Sequence, residues 1–100
     1  MRLSPEQTHI ILTMVSEQVG TDARVVLYGS RTDDTRRGGD IDLLIESPCP
    51  PNLKQRARLK LALEDALRLP VDIIAKATSA AATPFQAIAL DNGIPIAETP

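Results

Sequence analysis

The run Asp40-Ile41-Asp42-Leu43-Leu44-Ile45-Glu46 sets two carboxylates at alternate positions at the start of an aliphatic segment. In a β-strand, successive side chains point to opposite faces, so Asp40 and Asp42 share one face while Ile41, Leu43 and Ile45 share the other. The aliphatic face must pack. The carboxylate face must stay open, because two like charges this close are costly to bury unless a cation compensates them. Pro48, Pro50 and Pro51 end the segment, since proline cannot continue a β-ladder.

The flanking sequence supplies elements for such a strand to pack against. Ser4, Pro5 and Gln7 form the start signal of a helix, with Ile11, Met14 and Val15 on one side and Gly20 at its end. Ala23-Arg24-Val25-Val26-Leu27-Tyr28 reads as a strand running directly into Gly29-Ser30. Residues 31–39 contain no apolar side chain and read as surface loop. Residues 52–69 predict a helix with one broad apolar face built from Leu53, Ala57 and Leu61 together with Leu59, Leu63, Ala66 and Leu67. Pro70 ends it, and Val71-Asp72-Ile73-Ile74-Ala75 predicts a third strand. Thr83 and Gln86 cap a last short helix ending at Asp91-Asn92-Gly93, and Ile94-Pro95-Ile96 predicts a short extended piece. The expected fold class is α/β (α+β): one domain over residues 1–100, with a small mixed sheet and helices packed on one face.

Composition narrows the functions open to this fold. Tyr28 and Phe85 are the only aromatic residues, so the core must be aliphatic. A formal net charge of −2 gives no bulk attraction to nucleic acid or an anionic membrane. The single Cys49 cannot form an internal disulfide, and the N-terminal residues carry no apolar leader. A cytoplasmic location is the expectation.

Asp72 is the third acid of interest, set in a run that otherwise reads as a buried strand. It either completes a carboxylate cluster with Asp40 and Asp42 or faces water at a sheet edge. Asp-x-Asp alone also fits a solvated strand start, or the metal site of much larger glycosyltransferases. Gly29-Ser30 alone fits an ordinary turn as well as a phosphate cradle. His9 reads as a surface or half-buried side chain, and the basic residues of the 52–69 helix as a solvated face or a surface for an acidic partner.

Taken together, these pieces resemble the signature of the DNA polymerase β-like nucleotidyltransferases. Leu27-Tyr28-Gly29-Ser30-Arg31 stands before a polar spacer, then Gly39-Asp40-Ile41-Asp42-Leu43-Leu44, then Asp72 on the following strand. The length resembles the minimal nucleotidyltransferase (MNT) members. The resemblance implies the polymerase β-like fold and two Mg²⁺ ions held by Asp40, Asp42 and Asp72. It also implies an ATP or other nucleoside triphosphate substrate whose phosphates are positioned by Gly29, Ser30 and Arg31. It implies adenylyl transfer with release of pyrophosphate. It further implies toxin–antitoxin biology, with a helical HEPN-domain protein as partner and acceptor. Many minimal members read Gly-Ser-x-Ala-Arg-Gly where this chain has Gly29-Ser30-Arg31-Thr32-Asp33-Asp34, with Arg36 and Arg37 following. The alternative reading is a docking module that neutralises a partner by binding. A homodimer is also compatible with the small aliphatic core.

Overall fold

The computed structural model describes residues 3–29 and 41–97. Ser30, Arg31, Asp33, Asp34, Arg36, Arg37 and Asp40 lie outside the described residues, as does the loop expected over 31–39.

The described residues form three helices and four strands in the order α1 (Pro5–Gln18), β1 (Arg24–Tyr28), β2 (Ile41–Ser47), α2 (Leu53–Leu67), β3 (Val71–Ala77), α3 (Pro84–Asn92) and β4 (Ile94–Pro95). Each helix starts with a reciprocal cap. Ser4 with Gln7, Asn52 with Gln55, and Thr83 with Gln86 exchange side-chain and backbone hydrogen bonds of 2.8–3.2 Å. Such a cap stabilises a helix by about 1 kcal/mol and fixes where it begins.

The strands form one mixed sheet in the order β3-β2-β1-β4. β1 is antiparallel to β2 and β4, whereas β2 and β3 run parallel. The parallel pair needs a crossover, which α2 provides. The larger core lies on the side of α1 and α2, where Ile11, Val15, Leu59, Leu63 and Leu67 pack with Val25, Leu27, Ile41, Leu43, Ile45 and Val71.

Two expectations are corrected. The helices do not all lie on one face: α3 covers the opposite one, where Ala89 packs with Val26 and Leu44 and is joined by Tyr28, Ile74 and Leu90. Leu44 is fully buried on the same face as Asp42, so the carboxylate face is closed in its middle. The second correction concerns α2. Leu59, Leu63 and Leu67 are buried, but Leu53 and Leu61 are 75% and 65% exposed. Residues two apart on a helix are separated by about 200°, so Leu53-Ala57-Leu61 forms a second stripe opposite the first rather than a widening of it.

Candidate functional site

The strand register brings together residues far apart in sequence. Tyr28 lies opposite Asp42 across the β1–β2 ladder, and Asp42 lies opposite Asp72 across the β2–β3 ladder. These side chains form a row on the α3 side of the sheet, near the start of β2 and β3 and the end of β1. Neighbouring strands are about 4.8 Å apart, so the two carboxylates are held as close neighbours by the backbone itself.

Gly29 closes the row at the end of β1. Its φ of +79° lies in the left-handed region. A β-carbon added there would overlap the Asp42 carboxylate. The Asp42 side chain therefore rests against a stretch of backbone that only glycine leaves bare. The Gly29-Ser30 turn matters here for close approach as well as for bending.

The row opens into a cleft of about 840 Å³ lined by Tyr28, Gly29, Asp42, Lys60 and Asp72 on the polar side. Ile73, Ile74, Phe85 and Ile88 supply its apolar wall. Phe85 and Ile88 are 57% and 62% exposed on α3. The Phe85 ring meets Tyr28 edge to face at 5.8 Å, a favoured aromatic geometry that braces α3 against β1. Burial, then the negative charges of Asp42 and Asp72, push the Tyr28 hydroxyl above its ordinary pKa. Among the described residues, a second hollow of about 440 Å³, between α1 and the start of β1, is lined by Glu17 as its only ionisable side chain and by no paired carboxylates.

Asp72 is exposed on β3, the edge strand of the sheet, so both features of the sequence reading apply to it: it faces water and it stands beside Asp42. Lys60 Nζ lies 3.6 Å from Asp72 Oδ1 and donates to Glu64 Oε2 at 3.0 Å and to the Val71 carbonyl. The Glu64 hydrogen bond holds the Lys60 ammonium above its usual pKa, against an opposing effect of burial. The Val71 N–H, donated to Glu64 at 2.9 Å, and then Lys60 hold Glu64 below the usual carboxylate range.

Lys60, Phe85, Ile88 and Tyr28 were not singled out as site residues in the sequence. The Lys60–Glu64 spacing of one helical turn was a readable signal for an ion pair, but the sequence gives no sign that it reaches round the sheet edge. Phe85 stood out only as one of two aromatics. His9 is exposed on α1.

Among the described residues no group of three His, Cys, Asp or Glu side chains is arranged to hold a metal ion; Asp40 is not among them. Asp42 and Asp72 do fit a hard divalent cation. They are two adjacent oxygen donors held side by side by the strand register. No helix among the described residues is long and apolar enough to cross a membrane.

Comparison with known proteins agrees with this geometry. Residues 9–95 match the nucleotidyltransferase domain family. No curated protein matches the chain. Among solved structures, one described as a minimal nucleotidyltransferase by assignment is 28% identical, with a TM-score of 0.66 over 93% of this chain and 96% of that one. A complex of a tri-AMPylated Shewanella oneidensis HEPN toxin with an MNT antitoxin contains a chain 17% identical, with a TM-score of 0.67 over 96% of this chain and 74% of that one. A toxin–antitoxin structure with AMP-PNP contains a chain 20% identical, with a TM-score of 0.68 over 97% and 75%. The match spans all four strands, α2, α3 and α1 from His9 onward, and the chain belongs to the nucleotidyltransferase domain family.

Proposed function

We propose that this protein transfers a nucleotidyl group, an adenylyl group from ATP, to a protein or small-molecule acceptor. The observation that supports this most is the row Gly29, Asp42 and Asp72, fixed by strand register at the mouth of the cleft.

In the proposed reaction an acceptor oxygen attacks the α-phosphorus. The bond from that phosphorus to the bridging oxygen breaks, and pyrophosphate leaves. Such reactions depend mainly on positioning and on neutralising charge as it develops. Asp42 and Asp72, together with Asp40, are proposed to hold two Mg²⁺ ions, which when bound would polarise the phosphate oxygens and neutralise the triphosphate. Gly29, Ser30 and Arg31 are proposed to position the phosphates. The place of Gly29 in the cleft wall, directly against the Asp42 carboxylate, supports that role. Phe85, Ile88 and Ile74 offer an apolar wall for the base and ribose. Asp72 is exposed at the site, open to an approaching acceptor.

The solved neighbours include an MNT antitoxin with an AMPylated HEPN toxin, and that context supports a HEPN-type partner as the acceptor. The second apolar stripe of α2, with Leu53 and Leu61 exposed beside Lys54 and Arg58, offers a surface for such a partner. A cytoplasmic location accords with this role.

The test is the intact mass of candidate acceptors, including proteins encoded next to this one, after incubation with ATP and Mg²⁺. A gain of one adenylyl group with the wild-type protein, absent with Asp42→Asn, is the expected result. No gain on any acceptor, with partner binding unchanged in Asp42→Asn, would leave a docking module on a nucleotidyltransferase fold.

A further inference from the structure

On the reading that Asp42 and Asp72 hold a divalent cation, we infer that Lys60 is a positioning residue for Asp72. It is an internal counter-ion, fixed by Glu64 at the sheet edge, that competes with the metal for that carboxylate.

The inference starts at Val71. Among the described residues β3 is an edge strand, paired with β2 on one side only. The neighbouring Pro70 carbonyl points inward and accepts from the Ile41 N–H at 2.9 Å. Because successive backbone groups alternate, the N–H and C=O of Val71 point outward, away from the ladder. Unpaired edge groups need partners. Glu64 Oε2 accepts the Val71 N–H at 2.9 Å, and Lys60 donates to the Val71 carbonyl. Two side chains one helical turn apart on α2 thus stand in for a missing strand.

That arrangement decides where the ammonium sits. Lys60 has three donors. One goes to Glu64 at 3.0 Å and one to the Val71 carbonyl. The next residue along the strand is Asp72, whose Oδ1 lies 3.6 Å from the same nitrogen. Two of the three Lys60 donors are thus held by groups within the protein, which fixes the ammonium beside Asp72. Its charge offsets the repulsion between Asp72 and Asp42 when no cation is bound. An incoming cation meets that charge as a like one. Glu64 moderates the competition by holding the ammonium towards α2.

The consequence is a pair of opposite effects on metal affinity. Removing the Lys60 charge tightens binding, whereas neutralising Glu64 weakens it. Each change is about threefold to tenfold for a unit charge within several ångströms of an ion in screened, water-facing surroundings. A merely structural role for Lys60 predicts the contrary, because loosening Asp72 would weaken binding.

The experiment measures Mn²⁺ binding to the full chain, reading free Mn²⁺ by electron paramagnetic resonance, for wild type, Lys60→Gln, Lys60→Arg, Glu64→Gln and Asp42→Asn, with thermal unfolding of each. The expected result is tighter binding in Lys60→Gln, near wild-type binding in Lys60→Arg, and weaker binding in Glu64→Gln and Asp42→Asn. Glu64→Gln keeps an acceptor for the Val71 N–H and carries the test should Lys60→Gln not fold. Weaker binding in Asp42→Asn with unchanged or weaker binding in Lys60→Gln overturns the role of Lys60 and leaves the metal reading standing. If Lys60→Gln does not fold, unchanged or tighter binding in Glu64→Gln does the same. Absent binding in wild type, or binding unaffected by Asp42→Asn, overturns both.

Discussion

Asp42 and Asp72 stand directly opposite each other across the parallel β2–β3 ladder, two carboxylates of like charge separated by about thirty residues of sequence and held side by side by register. A sheet serving stability alone gains nothing from such a pair, since like charges directly opposite are destabilising. Asp42→Asn and Asp72→Asn are therefore expected to abolish nucleotidyl transfer, by at least about a hundredfold, as loss of a group that neutralises developing charge does. Because Asp72 is exposed, thermal unfolding of Asp72→Asn should stay within about 0.5 kcal/mol of wild type. Measuring activity and melting on the same preparations separates the two effects.

Gly29→Ala tests the close approach at the end of β1. The added methyl meets the Asp42 carboxylate, and alanine disfavours a φ of +79°. The expected cost is about 1 kcal/mol or more from the backbone alone, with Asp42 displaced and transfer lost while the circular dichroism spectrum stays that of a folded α/β protein. Wild-type activity in Gly29→Ala would show that the approach of backbone to carboxylate is not needed.

The two stripes of α2 should respond in opposite ways. Leu63→Ala opens a cavity in the main core and should destabilise by about 2–5 kcal/mol. Leu61→Ala, at a position 65% exposed, should change stability by less than about 0.5 kcal/mol. Denaturant unfolding of both variants checks the assignment of the buried face.

The Glu64–Lys60 pair makes stability depend on pH at both extremes. Glu64 is held below its usual pKa, so its contribution is present above the ordinary carboxylate range and is lost as pH falls through the depressed value. Lys60 is held above its usual pKa, so its contribution is present below the ordinary lysine range and is lost as pH rises through the raised value. Glu64→Gln should flatten the acid limb of a melting-temperature profile relative to wild type and leave the neutral region nearly flat.

How far the sequence carries these conclusions varies along the chain. The capping pairs Ser4–Gln7 and Thr83–Gln86 and the prolines at 48–51 and 70 mark element ends through local chemistry, and the elements lie where that chemistry puts them. The parity of Ile41, Leu43 and Ile45 against Asp42 is a local property too, and these three side chains do face the main core. What escaped was set by tertiary contact. α3 crosses to the other face because Ala89 meets Val26 and Leu44, a meeting no local pattern encodes. The exposure of Leu61 follows from an angle of about 200° to Leu59, a property of helical spacing itself. Lys60 reads as one basic residue among several on α2. Its place beside Asp72 depends on β3 being the sheet edge.

The most direct test of the central claim uses ATP labelled at either the α- or the γ-phosphate, with Mg²⁺ and the candidate acceptors. Nucleotidyl transfer predicts that the α-label moves to the acceptor, that the γ-label leaves as pyrophosphate, and that both events vanish in Asp42→Asn. Transfer of the γ-label would contradict the account, as would α-label transfer that persists undiminished in Asp42→Asn.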